Sequence, residues 1–421
     1  MSTPNTDTRS SWLTRNVVLL GLISFLADVS GEMMTPILPL YLAALGGSGL
    51  VIGFVGGLGD AVANIVKVIS GYLADQTGKR RQLIAIGYGI PFFAKLGIGL
   101  SQSWEQIAIL KPIERLGKGI RGAPRDSLLA DSVSFQLRGK AFGFHRMMDT
   151  AGAILGSMIT LGIVITLFSY LEEETTLLRL IIILSSFISL FAVVPIIFLS
   201  TPIYSREKKT PIGTGLLQNL KNLPRDYYLF LFISVIFGLA NFTILLFILH
   251  TKTILAGTIG FTDTPFNQLA MTLALFIWFN VVYSGLSIPF GGWSDRYGRK
   301  KVFSLGLILF IITCLIFAST THLFALILAF GIYGAFYAAT DGVQKAYTVD
   351  LLPSALKGTG IGLLQTSMGF AGLAGGIIAG RLYEIDFPLP FLFGALFSAV
   401  ALLILLLGNI RSHPQETPAS E

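Results

Sequence analysis

Long apolar stretches, separated by short polar connections, recur along the whole chain. Each is about 20 to 30 residues long, the length of an α-helix that crosses a bilayer, whereas a strand of a membrane barrel needs about ten. The pattern therefore predicts an all-α membrane protein with twelve transmembrane helices. The predicted spans are 17–46, 51–74, 83–101, 105–130, 141–168, 177–201, 227–255, 266–292, 302–320, 323–350, 358–385 and 387–410.

Composition supports this assignment. Of the 421 residues, 53% are hydrophobic and only 13% are charged, whereas about a quarter are charged in soluble domains. The net charge is +7, but the cations outside the spans lie in short connections, so membrane topology explains them better than a nucleic-acid partner does. The single cysteine, Cys314, lies in an apolar run and cannot form an intrachain disulfide.

Positive charges concentrate in alternate connections, at 79–81, 138–140, 206–209, 296–301 and 357. The other connections are nearly free of them, and LEEETT at 171–176 is acidic. By the positive-inside rule, both termini and the long central connection are predicted to be cytoplasmic, in a bacterial-type inner membrane. The first span is too long and too acidic for a cleaved signal peptide.

The polar segment PIYSREKKTPIGTGLLQNLKNLPRD at 202–226 divides the chain nearly in half. It has the composition of a linker between two units. We therefore predict an N-terminal tail at 1–16, a six-helix bundle at 17–201, a cytoplasmic linker at 202–226, a second six-helix bundle at 227–410 and a C-terminal tail at 411–421.

An internal repeat relates the two halves. GYLADQTGKR at 71–80 aligns with GGWSDRYGRK at 291–300 after a shift of 220 residues. With a shift of 219, Asp131 falls on Asp350 and Gly143 falls on Gly362. Two separate segments that match at almost the same offset indicate parallel repeats.

These motifs resemble those of a known family. GYLADQTGKRR after the second span and GGWSDRYGRKK after the eighth resemble the signature loop of the major facilitator superfamily, and RLGKG at 115–119 resembles its fourth-helix motif. The resemblance implies a secondary transporter with twelve helices in two pseudo-symmetric six-helix bundles, working by alternating access. DTAGAILG in the fifth span lacks the Gly-Pro of the family's antiporter motif.

The fourth predicted span carries a column of cations. Lys111, Arg115, Lys118 and Arg125 fall within about 80° of arc on a helix. A charge at the bilayer centre costs about 2.5 to 3.5 kcal/mol, so this stripe should face protein or a watery cavity rather than lipid. We expect it to line a solute path, with Arg115 and Lys118 in contact with the solute.

Three carboxylates are candidates for carrying protons. Asp28 and Glu32 lie four residues apart on one face of the first span, where two negative charges repel each other, and Asp149 lies on the fifth span near His145. Glu32, the deeper of the first two, is also a candidate solute ligand. The alternative is a structural ion pair with the cations of the fourth span, and His145 is equally well explained as a proton relay or as an interfacial hydrogen-bonding group.

The remaining candidate solute ligands are Lys67, which shares a face of the second span with Asp60 and Asn64, and the neutral side chains of Asn241, Tyr337 and Gln365. Asp341 and Lys345 are interpreted as a structural pair. A cationic first half with a neutral second half suits an amphipathic anion.

The signature loops are candidate gates. Gly71 permits close helix approach, Gly78 permits a tight turn, and Asp75 can accept hydrogen bonds from a neighbouring helix N-terminus, so that the loop acts as a latch. The alternative is a basic loop that only sets topology. The other residues assigned to gating are Arg80, Arg121, Arg125, Asp295, Gly298 and Arg299.

We find no phosphate-binding loop, Cys/His metal cluster or Ser-His-Asp arrangement. We therefore expect no cofactor and no enzymatic activity. Separately, we expect a monomer. The sequence favours a proton-coupled transporter of a small organic anion, such as a polycarboxylate, a carboxylate siderophore or a phosphorylated metabolite. The alternatives are a multidrug/proton antiporter and a transporter-like solute receptor. The short tails argue against the receptor only.

Overall fold

The computed structural model describes residues 12–134, 137–171, 173–200, 220, 222–257, 264–353 and 356–410. Regular structure in this part of the chain is helical, with fourteen α-helices and a short 3₁₀ helix at Val194–Phe198. Most of the predicted N-terminal tail, most of the predicted linker and all of the predicted C-terminal tail lie outside the described ranges. The helices are α1 (Arg15–Met34), α2 (Leu38–Ala44), α3 (Gly49–Thr77), α4 (Arg80–Leu100), α5 (Trp104–Asp131), α6 (Arg138–Leu167), α7 (Glu174–Phe191), α8 (Arg225–Ala240), α9 (Ile244–Ala256), α10 (Pro265–Tyr297), α11 (Arg299–Ser319), α12 (Leu323–Asp350), α13 (Lys357–Ile385) and α14 (Leu389–Leu407).

The helices account for the twelve predicted spans. Eleven helical segments of the described chain are long and apolar enough to cross a membrane. The twelfth is α5, whose 28 residues give it a length of about 42 Å but whose charges make it too polar to be found by hydropathy alone. Phe93, Ile288 and Phe324 are 72, 85 and 85% exposed, as expected where side chains meet lipid instead of water.

The first span of each half is interrupted. Regular helical hydrogen bonding is interrupted at 35–37, between α1 and α2, where Pro36 lacks a backbone N–H. In the second half the break is at 241–243, between α8 and α9, and the side chain of Thr243 caps α9 by accepting from the Leu245 amide at 3.3 Å. Each break frees backbone polar groups inside an otherwise apolar span.

The repeat is visible in the helix boundaries. Helices α4 and α11 each have 21 residues and start at 80 and 299, while α5 and α12 each have 28 residues and start at 104 and 323. The offset is therefore 219 residues in both pairs. Helices α3 and α10 end at 77 and 297, an offset of 220. One residue fewer in the turn before α11 explains the two shifts found in the sequence.

The described chain forms two compact units. The first contains residues up to 46 and 62–209, and the second contains 47–61 and the residues from 210 onward. Helix α3 is thus divided, and its first half packs with the second unit. There a Cβ added at Gly53 would lie 2.0 Å from the carbonyl oxygen of Gly376 on α13, so only glycine permits this approach.

Within the first unit, α1 packs against α6 through two glycines. A Cβ at Gly152 would lie 2.4 Å from the Phe25 carbonyl oxygen, and one at Gly156 would lie 2.3 Å from that of Val29. Backbones this close leave no room for a side chain between the helices. The contact sets the rotation of α1 about its axis, and with it the direction of the face that carries Asp28 and Glu32.

Replacing Gly152 by alanine is expected to destabilise the protein by about 1 to 3 kcal/mol, because the new methyl group forces α1 and α6 apart. Gly162→Ala on the same helix is the matched control, since its Cβ would meet nothing within 4 Å. The measurement is the thermal unfolding midpoint of the purified protein. Equal midpoints for the two variants would contradict the proposed packing constraint.

Candidate functional site

A polar cavity lies within the first unit, among α1, α4, α5 and α7. Its volume is about 30 Å³, enough for about two water molecules. This space suits one small charged group rather than a whole organic solute. The charged side chains that line it are Asp28, Glu32, Lys95, Lys111, Glu114, Arg115, Lys118 and Arg121.

Helix α5 supplies most of these charges. Lys111, Arg115 and Lys118 of the predicted stripe all line the cavity, and Arg121 joins them. Pro112 and Pro124 lie inside this helix, where they are tolerated because protein surrounds the freed carbonyl groups. Helical spacing places Lys111, Arg115 and Lys118 on this wall, and Arg121 extends it.

Arg125 differs from the sequence-based expectation. Its guanidinium donates to Asp126 Oδ1 at 2.9 Å and to Ser24 Oγ at 2.9 Å, and it is not among the residues that line the cavity. Arg121, assigned to gating from the sequence, instead lies over the Tyr88 ring at 4.3 Å and donates to the Gly87 carbonyl at 3.3 Å. Arg125 shares the angular position of the stripe, but its side chain is held by Asp126 and Ser24 and does not line this cavity.

Helix α1 places its two carboxylates at the same cavity. Asp28 and Glu32 both line it, and Glu32 interacts electrostatically with Lys118, Arg115 and Lys111. The acidic face of α1 and the cationic stripe of α5 are thus parts of one site. This arrangement combines both interpretations of the carboxylates, since they have cationic neighbours and also border open space.

Lys95 is a cavity residue that the sequence analysis did not identify. It is only 2% exposed, lines the cavity from α4 and donates to Ser30 Oγ at 2.7 Å. Ser30 in turn donates to the Ser185 carbonyl at 2.5 Å, which links α4, α1 and α7. The signal was present, because Lys95 is the only charged residue of the span 83–101.

Glu114 was also missed. Its Oε2 accepts from Lys111 Nζ at 2.8 Å and lies 3.8 Å from Arg115 Nε. Only 9% of its side chain is exposed. An acid three residues after a lysine on one helix is a recognisable pairing pattern, but it does not reveal that the pair borders a cavity.

The other candidates of the first unit lie outside the cavity lining. Asp149 Oδ2 is 3.5 Å from His145 Nδ1 on α6, and Asp149 interacts electrostatically with Arg125 and Asp28. Lys67 packs along α5, where its Cε lies 3.3 Å from the position of a Cβ at Gly122.

The neutral candidates belong to the second unit. Tyr337 lies in an aromatic cluster, with its ring centroid 5.1 Å from Tyr333 and 5.5 Å from Phe279. Asn241 ends α8 at the interruption of that span, and Gln365 is half-buried on α13. Asp341 and Lys345 form the expected pair at 2.8 Å.

The two signature turns have matching geometry. Gly78 and Gly298 adopt positive φ angles of 65° and 99°, which favour glycine. In the first unit, Arg80 at the start of α4 pairs with Asp131 at the end of α5. In the second unit, Arg299 at the start of α11 pairs with Asp350 at the end of α12, at 3.2 Å.

The remaining gating candidates surround these turns. Arg299 also contacts Asp295 at 2.5 Å. Gly71 lies close to Ala123 of α5, because a Cβ added at Gly71 would be 3.2 Å from the Cβ of Ala123. The side chain of Asp75 lies outside the described part of the structure. The Arg299–Asp295 pair joins the end of α10 to the start of α11 across the second turn.

Comparison with known proteins identifies the family. The model described as the Major Facilitator Superfamily matches residues 20–280 and 252–421. An uncharacterized MFS-type transporter of Methanocaldococcus jannaschii is 39% identical over 396 residues, 94% of this chain and 95% of the relative. The multidrug resistance protein MdtH of Proteus mirabilis is 22% identical over 357 residues, 82% of this chain and 81% of that protein. A crystallised variant of the nucleoside transporter NupG has the same fold, with a TM-score of 0.78 at 17% identity over 93% of this chain and 99% of that one.

The Arg299–Asp350 pair is expected to couple energetically. Arg299→Gln and Asp350→Asn should each lower the unfolding midpoint, and the double variant should lose less than both combined, by a coupling of about 0.5 to 1 kcal/mol. Lys301→Gln, on an exposed neighbour, is the control and should leave the midpoint unchanged. Fully additive losses in the double-mutant cycle would show that the contact contributes nothing.

Proposed function

Because the chain belongs to the major facilitator superfamily, and is therefore a multi-pass secondary transporter rather than an enzyme, we propose that it moves a small organic anion across the membrane by alternating access, together with protons. The observation that carries this proposal is the charge of the cavity. Its lining has five cationic side chains and three carboxylates.

An excess of buried cations favours an anionic solute. Removing a charge from water costs several kcal/mol, so an unbalanced cation stabilises any anion that reaches it. Arginine and lysine bind carboxylate and phosphate groups through charge-assisted hydrogen bonds. The solute classes that fit are polycarboxylates, carboxylate siderophores and phosphorylated metabolites, whose charged group would enter the cavity.

The same charges support coupling to protons. Protonating Glu32 or Asp28 removes a negative charge from the lining and raises its cationic excess, which strengthens anion binding. By thermodynamic reciprocity, a bound anion must then favour protonation. Proton and anion therefore bind together rather than in competition, the requirement for symport. Glu32 is our candidate for the coupling residue because it interacts electrostatically with Lys118 and Arg115 across the cavity.

The membrane and its orientation belong to the proposal as well. The basic connections support a cytoplasmic membrane with both termini in the cytoplasm, and we propose that the signature turns gate the cytoplasmic side, with Asp75 as the latch. We also propose that the solute contacts Lys67, Asn241, Tyr337 and Gln365, and that the protein is a monomer. The alternative residues for proton coupling are Asp28 and Asp149.

A second candidate is export of amphipathic compounds. It is favoured by the similarity to MdtH, which is named a multidrug resistance protein, and by the aromatic cluster around Tyr337. A lipophilic cation is repelled by the cationic excess of the cavity. Proton-dependent transport of such a cation, with no transport of anions, would favour this candidate over ours.

Loss of the cavity cations is expected to abolish anion binding. Arg115→Ala, Lys118→Ala and Lys95→Met should each weaken binding of labelled citrate or glucose 6-phosphate about 30-fold or more, because truncating a buried charged partner costs about 2 kcal/mol or more. Lys140→Met, on an exposed position of α6, is the control. Affinities that stay unchanged in all three cavity variants, at normal protein levels, would refute the anion site.

Glu32→Gln is expected to separate exchange from accumulation. The amide fixes the neutral form at nearly constant volume, so proteoliposomes should still exchange labelled solute but should not accumulate it under a pH gradient. Asp28→Asn and Asp149→Asn are measured in parallel. Persisting proton-driven accumulation in Glu32→Gln would reject the assignment, and its loss only in Asp28→Asn or Asp149→Asn would move the coupling role to that residue.

A further inference from the structure

The cationic wall of the cavity contains one carboxylate of its own. Glu114 lies on α5 between Lys111 and Arg115, and both cations approach the same oxygen, Oε2, at 2.8 and 3.8 Å. The first distance is a charge-assisted hydrogen bond, while the second is an electrostatic contact beyond hydrogen-bonding range. Glu114 is thus engaged by two members of the stripe that is expected to bind solute.

A third cation lines the same cavity from another helix. Lys95 on α4 interacts electrostatically with Glu114, and its position is held by the 2.7 Å hydrogen bond to Ser30. All four charged groups line the cavity. Two cations of α5 therefore contact this carboxylate, and a third, Lys95 of α4, lines the same cavity.

We propose that Glu114 is a built-in counter-anion that competes with the solute for Lys95, Lys111 and Arg115, and thereby sets the affinity of the site. This inference rests on the proposed function. Without solute, the three cations need a negative charge nearby because little water reaches them. An incoming carboxylate or phosphate offers the same oxygen ligands and shares the cations with Glu114.

A competing internal anion has a clear use in a transporter. The site must bind solute well enough to load it but weakly enough to release it on the other side, and an uncompensated cluster of cations would hold an anion too tightly. Glu114 weakens solute binding through a charge that stays the same, whereas Glu32 alters solute binding when it takes up or releases a proton. The two glutamates of the cavity would thus have different tasks, one setting affinity and one setting coupling.

A purely structural ion pair predicts a different response. If Glu114 only positions Lys111, its removal misplaces that lysine, and binding becomes weaker or stays the same. If Glu114 competes with the solute, its removal strengthens binding although the solute-free protein becomes less stable. The sign of the affinity change therefore separates the two roles.

The test measures citrate binding to the purified full-length protein by calorimetry, at fixed pH and ionic strength. Glu114→Gln is expected to bind citrate about tenfold more tightly, which corresponds to about 1.4 kcal/mol. Its unfolding midpoint without citrate should fall, and citrate should raise that midpoint more than it does in the wild type. Glu105→Gln, the same change at an exposed position of α5, should bind within about twofold of the wild type.

A second variant keeps the test decisive if Glu114→Gln does not fold. Lys111→Gln combined with Glu114→Gln removes the ion pair and leaves the net charge of the cavity unchanged, so citrate affinity should stay within about threefold of the wild type. A loss of about tenfold or more in this double variant, or unchanged or weaker binding in Glu114→Gln, would overturn the inference alone. Failure of the wild type to bind citrate or any other anion tested would instead overturn the proposed function, and this inference with it.

Discussion

Charges buried in an interior of low dielectric have to be balanced by nearby charges, and this requirement organises the first unit. Helix α5 brings Lys111, Arg115 and Lys118 to one wall, and the fold places Glu32 of α1 opposite them and Glu114 among them. In the cavity lining, five cationic side chains outnumber three carboxylates. This excess of positive charge is the basis on which we propose an anion-binding site here.

Close packing makes that balance possible. Helices α1 and α6 meet backbone to backbone at Gly152 and Gly156, which sets the rotation of α1 and hence the direction of its acidic face. The hydrogen-bonded series from Lys95 through Ser30 to the Ser185 carbonyl then ties α4 to α1 and α7. The charged side chains are thus positioned by glycine contacts between helices and by hydrogen bonds through serine.

The two halves share their frame but not their chemistry. The pairs Arg80–Asp131 and Arg299–Asp350 occupy equivalent ends of α4 and α11 and of the helices that follow. Between those ends, the first unit has its charged cavity, whereas the equivalent part of the second has the aromatic cluster around Tyr337. The repeat thus accounts for the matching ion pairs, while among the described residues the two units place different chemistry at equivalent positions of α5 and α12.

Local patterns in the sequence determined the twelve spans, the repeat and the cationic stripe, because hydropathy and helical periodicity depend only on spacing along the chain. They also singled out Glu32, Arg115 and Lys118. Tertiary structure decided which charges meet. It brought Lys95 from α4 to the cavity and placed Ser24 of α1 where it accepts a hydrogen bond from Arg125 at 2.9 Å. Such choices depend on which helix lies opposite and at what distance, and the electrostatic energy of a buried charge is set by those distant neighbours rather than by its own segment.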